Sequence, residues 1–314
     1  MAMLVKLSCY EGKSVISLLD SIRSTGNGKI LFRNQFDYNT LEGESISTLK
    51  EMLKSPKHYR HRKSFQKATT VSMSMGTTSH VAVLEPERFL EEYSIWKGTD
   101  KDGKKQVRNG KKWDEFQEQN AGKIIIKDDE YKAAISLRDA VRRDDVAMKY
   151  LAMGEPEIAL QWNDPDTDIL CRGRADWITR VDGELCLVDL KTTRDASPIM
   201  FGRDVAKMSY HLQAAFYADA VEQATGESPR FIIVAVENYP PFDVVTYEVC
   251  EDTLAIGRLA YGELLTKLKE CRASNNWPGQ GAQMERTLIL PDWCTPDEEN
   301  DDMSGLDWEG KEAA

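Results

Sequence analysis

Asp176, Asp189 and Lys191 lie within the stretch GRADWITRVDGELCLVDLK, two carboxylates and an ammonium arranged so that they could share one face of a sheet. The Asp182-Gly183 pair between them is a strong two-residue hairpin signal, so the flanking segments are expected to be antiparallel strands. That turn sets Asp176 opposite Asp189 and Arg174 opposite Lys191. Cross-strand partners have Cβ atoms only ~4.5–5.5 Å apart, and like charges there destabilise a sheet. A shared proton, nearby cations or a divalent metal could offset the repulsion, and a metal best explains why Asp176, Asp189 and Lys191 gather on one face. Alternation puts Arg172, Arg174 and Asp176 on that face and Cys171, Gly173, Ala175 and Trp177 on the other. A one-residue bulge would break this register. The simpler alternative is a solvated, charged hairpin, but LCLV in the second strand is apolar on both faces, as in a buried strand.

Other residues able to do chemistry are scattered. In GTTSHVAVLEPERF, Thr77, Thr78 or Ser79 could cap a short helix that carries His80 and ends before Pro86. A lone histidine in an apolar turn reads by itself as a hydrogen-bonded core residue. Glu85 precedes proline and is therefore expected to cap or orient rather than ligate. Lys54, Lys57, His58, Arg60, Arg62, Lys63 and Lys67 interleave with Tyr59 and Phe65, which suits phosphate contact with base stacking and equally suits a solvated basic helix end. The lysine-rich stretch Thr99–Lys112 reads as an exposed loop that could reach DNA.

The elements that must position these groups follow from periodicity. GESISTLKEMLKSP reads as a helix capped by Ser45 or Ser47, carrying Leu49, Met52 and Leu53 and stopped by Pro56. Helical spacing returns from DEFQEQ to KYLAMG, and a strand begins near Glu157. After the hairpin, TTRDASPIMFGRD reads as a loop. VAKMSYHLQAAFYADAVEQATGES reads as one amphipathic helix, with Val205, Met208, Leu212, Ala215 and Phe216 as core stripe and Tyr210, Gln213 and Tyr217 as a polar-aromatic line beside it. FIIVAVE and DVVTYEV read as strands, and LAIGRLAYGELLTKLKEC as a closing helix. KILFRNQF could be a short strand or an arm.

The chain has 314 residues, 41% of them hydrophobic, enough for a proper core. Its net charge of −11 opposes general attraction to nucleic acid, but acid and base are segregated, with much of the acid beyond Gly279 in a tail expected to be mobile. No apolar run could cross a bilayer, and Glu11 and Lys13 interrupt the start before a signal-peptide core forms, so a cytosolic protein is expected. The six cysteines form no CxxC pair, leaving no visible zinc knuckle or iron–sulfur ligand set.

Taken in order, GESISTLKEMLKSPKHY, GTTSHVAVLEPERF, GRADWI, VDLKTT and QAAFY resemble the signatures of the PD-(D/E)xK nucleases of RecB/RecE type, within them the exonuclease VIII (RecE) group, over roughly Asp37 to Cys271. The resemblance implies an α/β fold, a restriction-endonuclease-like core with a central mixed β-sheet flanked by helices and a helical N-terminal elaboration. It divides the chain into a mostly helical part (1–150), a nuclease core (151–275) and the acidic tail (276–314). It implies that His80, Asp176, Asp189 and the Leu190 carbonyl bind Mg²⁺, with Mn²⁺ tolerated, and that Lys191 positions or activates the attacking water and stabilises the phosphorane charge. Gln213 and Tyr217 match a QxxxY motif that implies DNA contact or support for Lys191. To these we add Arg172 and Arg174 as phosphate ligands, and Glu85, Lys57, Arg60 and Arg62 as DNA-side support. The iron–sulfur cysteines of some RecB-type relatives have no counterpart here. Relatives of the RecE branch form rings, here expected to be trimers or tetramers, on double-stranded DNA ends in the bacterial host. They degrade the 5′ strand processively and leave a 3′ overhang for a single-strand annealing protein of RecT/Bet type. A structure-specific endonuclease or nickase, and a DNA-end-binding protein with a silent site, are the alternative expectations.

Overall fold

The computed structural model describes residues 28–31, 38–65, 71–99, 103, 107–281, 285 and 287–289. The acidic residues from Asp292 onward, Lys67 and the segment before residue 28 lie outside them, as does part of the lysine-rich loop. In chain order come β1 (Gly28–Leu31), β2 (Glu44–Ser45), α1 (Ile46–Leu49) with a 3-10 turn (Lys50–Leu53), α2 (Pro56–Ser64), α3 (Val71–Leu84), α4 (Pro86–Glu92), β3 (Tyr93–Trp96) and α5 (Lys111–Gln119). Then follow β4 (Ile124–Lys127), α6 (Asp128–Arg143), α7 (Asp145–Leu151), β5 (Glu155–Asn163), β6 (Leu170–Val181), β7 (Glu184–Thr193), α8 (Pro198–Lys207), α9 (Tyr210–Thr225), β8 (Arg230–Glu237), β9 (Val244–Glu248) and α10 (Glu251–Ser274).

The main sheet runs β1-β5-β6-β7-β8-β9, with β2 added to β6. It is mixed, because β7 pairs with β8 and β2 with β6 in parallel while the remaining ladders are antiparallel. Helices cover both faces, the arrangement that lets the apolar strands β7 and β8 bury both of their sides. On one face Leu187, Phe231 and Ile233 pack with Leu212 and Phe216 of α9 and Leu265 and Leu268 of α10; Ile46 and Leu49 join them. On the other, Val188, Leu190, Ile232 and Val234 pack with Leu84 of α3 and Leu137 and Val141 of α6. The strands read in the sequence and the closing helix are all present. Among the described residues no helix is long and apolar enough to cross a membrane.

Five readings need correction. The segment read as a loop after β7 contains α8, which Ser197 precedes and Pro198 opens, a start signal in plain view. The single amphipathic helix is two, broken where Ser209 takes φ 53, so Met208 leaves the core stripe and is exposed, while Val205 still packs against the core. The helix carrying His80 begins at Val71, well before the threonines read as its caps. A small parallel sheet of β3 and β4 was missed, its strands being only four residues each. Ser45 does cap α1, accepting from the Thr48 N–H at 3.3 Å, but Pro56 opens α2 and Leu53 is exposed.

Close packing of α9 on α10 depends on Gly257, where an added Cβ would lie 2.3 Å from the His211 carbonyl oxygen. Gly257→Ala is expected to cost about 1–3 kcal/mol through overpacking, outweighing the ~1 kcal/mol that alanine contributes in helix propensity. A urea midpoint equal to or above that of the parent protein would contradict this.

Candidate active site

Local turn chemistry sets the register that brings the acids together. Asp182 (φ 54) and Gly183 (φ 88) form the expected tight turn, and β6 and β7 pair as read, from Val181↔Glu184 up to Trp177↔Val188. There the ladder ends, short of the expected pairs Asp176–Asp189 and Arg174–Lys191, which do not form. The β5–β6 ladder passes from Pro156↔Trp177 to Ile158↔Ala175 without pairing Glu157 with Asp176, so Asp176 is the step missing from both ladders. Opposite it Glu157 adopts φ 56, a conformation that non-glycine residues seldom take. The alternation slips at this point: Cys171, Ala175 and Ile178 share the core under α9 and α10, while Trp177 and Val181 belong to the other core. The sequence reading, which put Ala175 and Trp177 on one face, is corrected by this irregularity, a device that re-aims a side chain at a sheet's working edge.

Beyond Val188 the strands part. β7 continues alongside β8, with Asp189↔Ile233 and Lys191↔Ala235, while β2 takes the edge of β6 at Cys171 and Arg172. The notch between them holds the candidate site. Asp176 Oδ2 accepts from the Leu190 N–H at 3.0 Å and lies 3.4 Å from His80 Nδ1. Asp189 is 3% exposed; Lys191 is ion-paired to its Oδ2, and Gln213 Nε2 donates to its Oδ1 at 3.1 Å. Lys191 Nζ also stands 4.9 Å from the centroid of the Tyr210 ring.

Burial pushes the Asp189 carboxyl up to about 6, Lys191 pulling it back and Asp176 adding to the push. For Lys191 burial acts downward, but Asp189 and then Asp176 more than offset it, so its pKa lies above the usual lysine value. Lys191 is therefore a cation and hydrogen-bond donor at neutral pH, the form that stabilises charge on a phosphoryl oxygen.

The donors suit a hard dication in kind: two carboxylates, an imidazole and the Leu190 carbonyl. Both contacts of Asp176 fall on Oδ2, leaving Oδ1 without a hydrogen-bond partner among the described residues. Among those residues no three His, Cys, Asp or Glu side chains are already gathered as a metal cluster. Lys191 and Gln213 hold Asp189, and the Leu190 amide holds Asp176.

Other residues named from the sequence have different surroundings. Arg172 donates to the Tyr38 carbonyl at 3.1 Å and to the Leu41 carbonyl, and Arg174 pairs with Glu157 at 2.8 Å. Both guanidiniums flank the Tyr38 ring, so these arginines tie the chain before β2 to the sheet, although the Arg174 side chain remains 46% exposed. Tyr217 packs its ring where a Cβ on Gly173 would lie, 2.6 Å from Cε1, and burial raises its hydroxyl pKa; it supports β6 from beneath. Glu85 bridges to Arg88 at 2.8 Å across the α3–α4 junction. Lys57 and Arg60 line an open recess of about 430 Å³ with Trp277, whose ring stacks on Tyr59, while Arg62 caps the Phe65 carbonyl at 3.1 Å. Two further residues join the site: Tyr210, read on the polar-aromatic line three residues before Gln213 but given no role there, and Lys50, which was missed and whose Nζ lies 5.8 Å from the same ring. Spacing along α9 pointed to the first; nothing local signals the second.

A family model described as "PDDEXK-like domain of unknown function (DUF3799)" matches residues 45–287. Among solved structures, a protein described as "Putative exonuclease" from Eubacterium rectale is 16% identical, with a TM-score of 0.51, over 80% of this chain and 90% of its own. Protein VC1899 from Vibrio cholerae is 10% identical, with a TM-score of 0.23, over 78% of this chain and 58% of its own. No curated protein matches the chain.

Proposed function

This chain belongs to the family of PDDEXK-like domains of unknown function (DUF3799), and from that premise we propose that it is a metal-dependent deoxyribonuclease, an exonuclease that degrades the 5′ strand of a DNA duplex from its end. The observation that carries the proposal is the notch itself: Asp176 freed from two ladders, Asp189 buried against Lys191, and His80 brought to them by a separate helix. The name of the Eubacterium rectale protein supports the choice of exonuclease. The 5′→3′ polarity, Mg²⁺ as the ion, a ring of three or four copies, a RecT/Bet-type annealing partner and action in the bacterial cytoplasm rest on the RecE resemblance.

In this reading Asp176, Asp189, His80 and the Leu190 carbonyl would hold the metal. When bound, a divalent ion polarises a phosphoryl oxygen and lowers the pKa of a water. Lys191 donates to the phosphoryl oxygen on which charge grows. Gln213 fixes the Asp189 carboxylate, and the Tyr210 ring holds the Lys191 ammonium against it. The Leu190 amide keeps Asp176 from turning away.

The deciding experiment digests linear duplex labelled at its 5′ or 3′ ends, with Mg²⁺ or EDTA, beside a closed circle. Metal-dependent release of 5′ nucleotides with the circle intact is expected. A cut circle would favour an endonuclease, and no cleavage under any metal would leave only DNA-end binding.

Metal affinity should follow the Asp189 proton. Because burial holds that carboxyl near about 6, it is neutral below and charged above. Mn²⁺ affinity is expected to fall about tenfold per pH unit below that point. Calorimetric titrations at successively lower pH test this, and a flat profile would remove Asp189 from the ligand set.

A further inference from the structure

The geometry points to Lys50 as a second phosphate-binding cation of this site, one that holds a non-bridging oxygen of the DNA strand beside Lys191. Lys50 comes from the 3-10 turn after α1, far in sequence from the hairpin. Its Nζ donates to the Met208 carbonyl at 3.0 Å and stands over the Tyr210 ring, whose centroid also lies 4.9 Å from Lys191 Nζ. One ring thus serves two ammonium groups.

Their surroundings differ. Lys191 has the Asp189 carboxylate, but Lys50 makes no ion pair among the described residues. Met208 is the C-cap of α8, so its carbonyl lies at the helix end where aligned peptides present about half an elementary negative charge. That fixes the ammonium in place without neutralising it. Ser209, in the left-handed region, turns the chain at this point and separates α8 from α9. Burial, with Lys191 second, pulls the Lys50 ammonium down to about 8, against Asp189. Asp189 is ion-paired to Lys191 alone, so a second ammonium beside the same ring leaves a positive charge that a further anion would offset. A phosphodiester is the anion this site would meet, and its oxygens can accept from both.

This inference rests on the nuclease reading for the identity of the anion, so its test uses binding as well as turnover. Lys50→Gln keeps a donor for the Met208 carbonyl and removes the charge; Lys50→Arg keeps the charge. Affinity for a short duplex is measured in EDTA at several salt concentrations, with steady-state cleavage in Mg²⁺ alongside. For Lys50→Gln we expect affinity about 10–100-fold weaker and a matching rise in KM, with kcat nearly unchanged. The slope of log affinity against log salt should shrink by about one, and Lys50→Arg should recover most of both.

Unchanged affinity and salt slope in Lys50→Gln would overturn the inference. So would a loss that follows a lowered Tm and is not rescued by arginine. If the parent protein binds duplex through Lys50 yet cleaves nothing, hydrolysis fails and the phosphate site stands; if it cleaves with no Lys50 dependence, the reverse holds. Failure to bind and to cleave would sink both.

Discussion

Asp189→Asn is expected to lower the cleavage rate by about 10³-fold or more and to abolish measurable Mn²⁺ binding while the sheet stays folded. The substitution is nearly isosteric and still accepts from Gln213, which now donates to Asp189 Oδ1. What disappears is the charge. Lys191 then keeps only Asp176 as a nearby anion, and an orphaned buried ammonium can cost about 3–5 kcal/mol. Urea unfolding of the variant therefore accompanies the assay. A folded variant that retains a tenth of the parent rate would exclude Asp189 from catalysis.

Lys191→Met should separate two properties that Asp189→Asn removes together. Cleavage is expected to fall about 10²–10³-fold, the usual loss when one donor to a developing oxyanion is deleted. Dication affinity is expected to rise, because the ammonium now ion-paired to Asp189 Oδ2 competes for the same carboxylate. Calorimetry with Mn²⁺ and single-turnover cleavage in the same buffer would read both. Affinity falling with activity would mean that Lys191 builds the metal site instead of competing for it.

The legible part of this site is its hairpin. Asp182-Gly183 demands positive φ at both turn positions, and that local demand sets every pair up to Trp177↔Val188. The line Tyr210, Gln213, Tyr217 was equally readable as one helix face, and the three residues do reach Lys191, Asp189 and Gly173. What the hairpin could not announce is decided from outside it. Glu157, on the neighbouring strand, takes the strained φ beside which Asp176 escapes its ladders. Arg172 and Arg174 share a face by alternation, but their partners Tyr38, Leu41 and Glu157 come from other segments of the chain. The break at Ser209 overrides a continuous apolar period, and the approach of Lys50 depends on how β2 docks. These are tertiary contacts, and periodicity carries no record of them.

The docking of β2 also bears on the order of folding. The hairpin closes through a two-residue turn, whereas Arg172 reaches the Tyr38 carbonyl across 134 positions of chain. Loop-closure entropy grows with such separations, and nonlocal pairings slow the folding of a sheet. The acidic pair can therefore assemble early, while the edge strand that brings Lys50 joins late. A chain caught between these stages would carry its carboxylates on a formed hairpin without the second cation, so competence toward DNA should mature after the fold is largely in place. Pulse-labelled hydrogen exchange during refolding would show it as protection at β6 and β7 ahead of β2.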